Sequence, residues 1–345
     1  MPRAEAAPAP LEGVDLLLAD LDGVVYAGAR AIPHAVEALN AAQADRRVAY
    51  ITNNASRTAA SVAEHLTELG LHVEPDDIVT SPHAAVELLA DAVPAGSTVL
   101  VVGGEGLSSV VEAAGFRVTD SARDVPAAVI QGFHPAVGWA QLAEASFALN
   151  AWNDGRPGEG GIPWIATNTD WTIPQERGTA PGNGTLVSAV HTAVGRLPRV
   201  AGKPEPAIFH TALARFGGAS PLFLGDRIDT DIRGARRAGV PSALVLTGID
   251  GPKQLIAAAP EDRPDFVLAD LRELAQPYLA PVATERRGGV EVRCGTAVVS
   301  RRGAVIRLEK RGEKVHELRA ACAAVWGSGL SLYALDVDAR LSSAS

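Results

Sequence analysis

Val14-Asp15-Leu16-Leu17-Leu18-Ala19 runs straight into Asp20-Leu21-Asp22-Gly23-Val24. An apolar run of this length, rich in leucine, reads as a strand buried on both faces of a parallel sheet. The two acids that follow it are spaced by one residue. On an extended backbone, positions i and i+2 point to the same side. Two carboxylates on one side at the mouth of a buried strand repel unless a cation or a proton lies between them. The stretch therefore points to a metal site, a paired acid/base site, or both.

Along the rest of the chain, short β-branched runs alternate with Ala/Leu-rich helical patterns. Strands are expected at Val14–Asp20, Val48–Thr52, Thr98–Val102, Ala128–Gln131, Trp164–Thr167, Leu222–Gly225, Ala243–Thr247 and Phe266–Ala269. Helices are expected at Ala35–Ala44, Ser61–Leu69, Pro82–Ala90, Leu107–Ala114, Ala140–Asn150, Gly184–Val194, Pro206–Phe216 and Ile232–Ala238. Alternation of this kind means βαβ units and a mainly parallel sheet. The fold class expected is α/β: a Rossmann-like parallel-sheet core with an inserted α/β cap domain and a small C-terminal α+β appendage.

In open parallel sheets, ligands bind at the carboxyl ends of strands. The polar motifs fall there. Thr52-Asn53-Asn54 follows the second strand, and Gly225-Asp226-Arg227-Ile228-Asp229-Thr230-Asp231 follows Leu222–Leu224. Gly202-Lys203-Pro204-Glu205-Pro206 precedes a helix. The segment from about Ser81 to about Pro181 separates the first two motifs from the last two. Since the motifs must converge, that segment reads as a second domain inserted over the site. The boundaries expected are a disordered lead-in at 1–10, a core of 11–80 plus 185–280, a cap at 81–184 and an appendage at 285–345. Glu285–Arg319 reads as a hairpin-like element followed by a short helix near Arg319–Trp326. Truncation after about Pro281 is therefore expected to leave a soluble, active core.

Lysine usage sharpens the picture. Lys203 is the only lysine before Lys253 in a chain that otherwise uses arginine. A compact ammonium differs from a planar guanidinium in the geometry it imposes on a bound anion. With a phosphate monoester at the sheet edge, a carboxylate can attack phosphorus to give an aspartyl-phosphate. An anionic nucleophile meeting an anionic substrate needs cations. Mg²⁺ on oxygen ligands supplies one, with Asp226 completing its shell, and Lys203 supplies the other. A second acid two residues from the nucleophile can protonate the leaving alkoxide and later activate water. The Thr52 hydroxyl and neighbouring backbone N–H groups can hold phosphoryl oxygens without adding charge.

The set D-L-D-G-V, T-N-N, G-K-P and G-D-x-x-x-x-D, in this order, resembles the haloacid dehalogenase superfamily of phosphatases. The long insert resembles that superfamily's C2-type cap. Thr167-Asn168-Thr169-Asp170 leading to Pro181-Gly182-Asn183-Gly184 is similar to the subgroup containing p-nitrophenyl phosphatases, pyridoxal phosphate phosphatase and glycerol-phosphate phosphatases. The resemblance spans about residues 11–280. It implies Asp20 as nucleophile and Asp22 as general acid/base. It further implies Mg²⁺ held by Asp20, Asp22 through its backbone carbonyl, and Asp226, with Asp231 behind them. Thr52, Asn53, Asn54 and Lys203 would bind the phosphoryl group. On the cap, His134, Trp171, Thr172 and Ile173 are the candidates for substrate choice. His134 and Trp139 stand where the resembling families usually show Asp and Tyr, and a packed aromatic is the competing reading of Trp171. The tail is similar to the extension of actinobacterial glycerol-3-phosphate phosphatases, likened to part of an acetyltransferase fold. No coenzyme A phosphate loop is present in it, so a structural or regulatory role is expected. Glycerol 3-phosphate is the substrate this likeness implies. Phosphoglycolate, pyridoxal phosphate and nucleoside monophosphates stay open, as do a phosphotransferase and a non-catalytic phosphometabolite-binding protein.

Composition bounds the alternatives. The formal charge is -9 over 345 residues, with a pI near 5.4. That balance argues against an electrostatic nucleic-acid surface. No apolar stretch approaches the length of a membrane span. Cys294 and Cys322 lie far apart, outside metal-ligand spacing, which points to a reducing, cytoplasmic compartment. Met1–Pro10 is Ala/Pro-rich without an apolar h-region, unlike a signal peptide. A small phosphate ester is the expected partner, and a homo-oligomer is left open. Val102-Gly103-Gly104-Glu105-Gly106 hints at a dinucleotide loop but lacks the third glycine, so a strand-to-helix turn is expected.

Overall fold

The computed structural model describes residues 7–150, 161–175 and 177–342. They form two compact units, Met1–Val48 with Ala219–Ser345, and Ala49–Gly218. The second is thus inserted in the sequence of the first.

In the first unit, Leu16–Ala19 pairs in parallel with Pro221–Gly225, which pairs with Ser242–Val245, which pairs with Phe266–Leu268. Leu16, Leu17, Leu18, Leu222, Phe223 and Leu224 are all buried, as uninterrupted apolar strands in a covered parallel sheet require. Helix Ala35–Ala42 follows the first strand. The helix expected over Ile232–Ala238 is divided: a π turn at Ile228–Ile232 leads into Arg233–Arg237.

The C-terminal region is larger than a hairpin. Val282–Arg286, Gly289–Cys294, Ala297–Arg302 and Val305–Lys310 form an antiparallel meander, and Asp336–Val337 adds a parallel edge. Its tight links need positive φ, as at Gly295 (54°) between Cys294 and Ala297. The helix starts at Lys314, not near Arg319, and runs to Trp326. It packs on this sheet, and its residues Leu318, Ala321 and Val325 share one apolar cluster with Ile232, Leu244, Leu255 and Val267. Arg319 is 3% exposed and donates to Val267 O (2.8 Å) and to Glu273 Oε2 (2.7 Å). Its guanidinium also stacks on Tyr278, 4.1 Å from the ring centre. The appendage and the first sheet thus share one apolar cluster, and a truncation after Pro281 would strip this cover from Leu244 and Val267 of the sheet and from Ile232 and Leu255 beside it.

Residues 1–6 of the expected lead-in lie outside the described residues. Ala7 is held by an antiparallel bridge to Tyr278, and Leu11 is buried.

In the second unit, Tyr50, Ile51 and Thr52, at the end of the strand Arg47–Thr52, pair in parallel with Ile78–Thr80. A separate five-stranded parallel sheet has the order Arg199–Val200, Trp164–Ala166, Ala128–Gln131, Thr98–Val102, Arg117–Thr119. Helices Trp139–Asn150 and Asn183–Val194 cover one face of it through Leu149, Val187 and Val190. Thr172–Gln175 and Gly178–Pro181 form a β-hairpin. Thr52-Asn53-Asn54 and Lys203, expected on the core, belong to the same compact unit as this inserted sheet. Among the described residues, no helix is long and apolar enough to cross a membrane.

Candidate active site

The first unit gathers acids. Asp20 N donates to Leu224 O at 2.9 Å, fixing the carboxyl end of one strand to its neighbour. Leu21 O then accepts from the main-chain N–H groups of Val24, Val25 and Tyr26, which turns the chain sharply. Asp226 leaves the end of Pro221–Gly225, and its Oδ2 accepts from Ile249 N at 2.7 Å. Gly23 has φ 81°, and a Cβ there or at Gly248 would collide with the Asp226 carboxylate. The sequence D-x-D-G thus keeps glycine for both backbone and space. Asp231 Oδ2 accepts from Asp226 N and Arg227 N, each at 3.1 Å.

Asp20, Asp226 and Asp231, all buried, each offer a carboxylate oxygen within 4.8 Å of the others. Three such groups repel strongly in a low-dielectric setting, so a cation is the natural complement. Hard oxygen donors of this kind suit Mg²⁺ or Ca²⁺. Asp231, expected behind the ligands, contributes an oxygen to this cluster. The Asp22 carboxylate is not part of it. Asp22 is exposed, and Tyr26 Oη donates to its Oδ2 at 3.4 Å. Sequence reasoning missed Asp250, which accepts from Ile228 N at 2.6 Å and whose carboxyl burial pushes above its usual range. Its signal was there: Gly248-Ile249-Asp250-Gly251 follows the carboxyl end of a strand.

The second unit gathers amides and one ammonium. Thr52 and Lys203 are 3% and 4% exposed. Asn54 N donates to Thr52 Oγ1 (3.1 Å), and Asn54 Oδ1 accepts from Ser56 N (2.8 Å) and Arg57 N (3.2 Å). This local turn pins the loop. Asn53 Nδ2 donates to Lys203 O (3.0 Å), while Asn53 Oδ1 accepts from Lys203 N (2.8 Å). Two motifs 150 residues apart are therefore joined by one side chain.

The remaining candidates are tied to the same loop. Ser56 Oγ donates to Phe133 O at 3.0 Å, which brings the segment carrying His134 beside it. His134 Nδ1 accepts from Ala136 N at 3.2 Å. A Cβ on Gly104 would collide with the His134 ring, and one on Gly106 would lie 2.7 Å from Arg57 O. The Gly103-Gly104-Glu105-Gly106 turn is glycine-rich because its neighbours come this close. Trp171 is 65% exposed, Thr172 is exposed, and Ile173 is half-buried on the hairpin. The competing reading of Trp171 as a packed aromatic does not hold. Asn168, Asp170 and Asn183, which the sequence marks only by the likeness of their motif, are linked by hydrogen bonds: Asn168 Oδ1 accepts from Asp170 N, and Asn183 Nδ2 donates to Asn168 O. His83 is structural: its ring caps its own helix at Thr80, and burial with Arg215 nearby pushes its pKa down to about 4.

Comparison with known proteins agrees with this geometry. A haloacid dehalogenase-like hydrolase family model matches residues 17–117, and a HAD-hydrolase-like model matches 200–274. The chain is 43% identical over 313 residues to D-glycerol 3-phosphate phosphatase of Mycobacterium tuberculosis, covering 90% of this chain and 86% of that one. It is 36% identical to glycerol-3-phosphate phosphatase of Gallus gallus over 72% of this chain and 84% of that one. The crystal structure of the mycobacterial glycerol phosphate phosphatase in complex with magnesium superposes with a TM-score of 0.81 at 40% identity, over 94% of each chain. That span is too long to omit the C-terminal sheet and helix. The 4-nitrophenylphosphatase of Thermotoga maritima superposes with a TM-score of 0.69 at 30% identity, over 77% of this chain and 98% of that one. With the motif order, the buried carboxylate cluster and these relatives in agreement, the chain belongs to the haloacid dehalogenase-like hydrolases, in their p-nitrophenyl phosphatase-like subgroup of phosphatases.

Proposed function

We propose that the protein hydrolyses glycerol 3-phosphate to glycerol and phosphate through an aspartyl-phosphate. The observation that carries this reading is the buried trio Asp20, Asp226 and Asp231, with the exposed Asp22 two residues from Asp20. The names of the mycobacterial and chicken relatives support the substrate. Asp20, at the end of its strand, attacks phosphorus. Asp22 reaches solvent, so it can give its proton to the departing glycerol oxygen and then take one from the hydrolytic water. By their match to the family's motifs, Thr52, Asn53, Asn54 and Lys203 would hold the phosphoryl oxygens, the Asn53 side chain acting through its grip on the Lys203 main chain. Asp20, Asp226 and the main-chain carbonyl of Asp22 would hold Mg²⁺, with Asp231 steadying that shell through its two amide contacts. Bound there, Mg²⁺ neutralises charge between nucleophile and substrate. Cys294 and Cys322 are buried free thiols, which supports a reducing, cytoplasmic setting.

The test is phosphate release from glycerol 3-phosphate, phosphoglycolate, pyridoxal phosphate and a nucleoside monophosphate, with Mg²⁺ and after EDTA. Glycerol 3-phosphate is expected to show the highest kcat/KM, EDTA to abolish release, and added Mg²⁺ to restore it. Preference for another ester would replace the substrate. Full activity without metal would remove the proposed metal role. Transfer to an alcohol in place of water would make the enzyme a phosphotransferase.

A further inference from the structure

One acid of the second unit has no part in the chemistry above, yet it touches the side chain that joins Thr52-Asn53-Asn54 to Lys203. Asn53 Nδ2 donates to Asp170 Oδ1 (3.2 Å) and Oδ2 (3.3 Å) as well as to Lys203 O. A carboxylate only accepts, so it must face the NH₂ end of the Asn53 amide. That leaves the Oδ1 end facing Lys203 N, the sole orientation in which Asn53 satisfies both main-chain groups of the lysine. Turned over, the amide would set oxygen against carboxylate and nitrogen against the Lys203 N–H. Asp170 therefore selects the orientation that grips Lys203.

Asp170 is itself held. Its N donates to Asn168 Oδ1 (3.1 Å), and Asn168 Nδ2 donates to Asn53 O (2.8 Å). Asn183 Nδ2 donates to Asn168 O (2.7 Å), and Gly184 N donates to Asp170 O (2.9 Å). Ser81 Oγ closes the ring on Asn53 O at 2.8 Å. The next residue, Trp171, opens the exposed hairpin, and its main-chain oxygen accepts from Gly182 N and Thr185 Oγ1, each at 2.9 Å. One short rigid stretch thus joins the hairpin to the main chain of Lys203.

We propose that Asp170 is a positioning residue: by orienting the Asn53 amide it fixes the main chain of Lys203, and it makes the hairpin at Trp171 and the phosphate-gripping lysine parts of one network. This rests on the assignment of Lys203 to phosphate binding made above.

The experiment compares Asp170→Ala and Asp170→Asn in the full-length protein. Misplacing Lys203 by about 1 Å costs on the order of a hundredfold in rate. Asp170→Ala should therefore lower kcat about that much on both glycerol 3-phosphate and p-nitrophenyl phosphate, with KM moving less. Asp170→Asn keeps an oxygen that can accept from Asn53 Nδ2, so it should stay within about fivefold of the parent, the worth of one ordinary hydrogen bond. Asn53→Ala combined with Asp170→Ala should be no slower than Asn53→Ala alone, because both act through one contact. A parental kcat in Asp170→Ala, or losses that multiply in the double variant, would overturn the proposal. If Asp170→Ala does not fold, Asn53→Asp and Asn53→Asp with Asp170→Asn carry the test. The first sets two carboxylates face to face, and the second removes that clash. Rate recovery of about tenfold is expected, and no recovery overturns the proposal. If the parent hydrolyses no ester at all, the phosphatase reading fails instead. Calorimetric binding of inorganic phosphate then decides: weaker binding to Asp170→Ala upholds the positioning role, and equal binding overturns it.

Discussion

The two units handle charge in opposite ways. The first concentrates three buried carboxylates within a few ångströms, close to the chain turns that follow Leu16–Ala19 and Pro221–Gly225. The second gathers neutral amides, a threonine and one ammonium, held by hydrogen bonds between residues as far apart as Asn53 and Lys203. The first arrangement should fail when a charge is removed. The second should fail when a geometry is disturbed at constant charge. Under the proposed function, the difference separates two sources of rate, charge neutralisation and alignment, and assigns each to a different part of the sequence.

The largest effect should come from breaking the first unit as a body. Deleting everything after Pro281 removes the Lys314–Trp326 helix and exposes Ile232, Leu244, Leu255 and Val267, which share its apolar cluster. It also removes Arg319, which satisfies Val267 O. The truncated chain should be insoluble or lack a cooperative melting transition. Soluble, active truncated protein would show that the appendage is separable after all. Within the unit, Asp20→Asn should lower kcat by about 10⁴-fold or more while the melting temperature holds or rises, since one of three repelling charges is gone. Near-parental phosphate release would remove the covalent route.

Lys203→Arg tests the second unit at constant charge. A guanidinium is wider and planar, and its donors form a fixed fork. Displacement of the phosphate by about 1 Å should cost on the order of a hundredfold in kcat. An arginine variant as fast as the parent would mean that charge alone matters there, and the contrast between the units would dissolve.

The strands that carry the motifs, and the four motifs themselves, are legible in the sequence because each is local: an apolar run ends and polar groups follow. The links between motifs were not legible, since Asn53, Asp170 and Lys203 meet only through tertiary structure. Residue type offers no clue to that, as an asparagine in T-N-N looks the same whether it faces solvent or a lysine backbone. The start of the C-terminal helix at Lys314 is hidden in the sequence for another reason. Its first turns bury His316, Glu317 and Arg319, so the apolar periodicity that marks a helix begins late. Glu317 is buried because it accepts from Gly312 N (3.1 Å) and pairs with Arg311. A buried polar side chain with a partner looks, in sequence, like an exposed one.

The smallest effects should fall on substrate choice. Trp171 presents its ring to solvent, while its main-chain oxygen is fixed by Gly182 and Thr185. Cutting the side chain back to alanine removes little packing, since Trp171 is 65% exposed, so the melting temperature should move little. A ring that contacts the alcohol portion of an ester is worth about 1–3 kcal/mol of discrimination. Trp171→Ala should therefore change the ratio of kcat/KM between glycerol 3-phosphate and p-nitrophenyl phosphate by about tenfold, with one of the two nearly unaffected. His134→Ala should differ in kind. Its Nδ1 holds Ala136 N and its ring lies against Gly104, so part of its loss should appear as a lower melting temperature. If Trp171→Ala slows both esters equally, the hairpin serves alignment and not choice, and Trp171 joins Asn53 and Asp170 on the side of geometry.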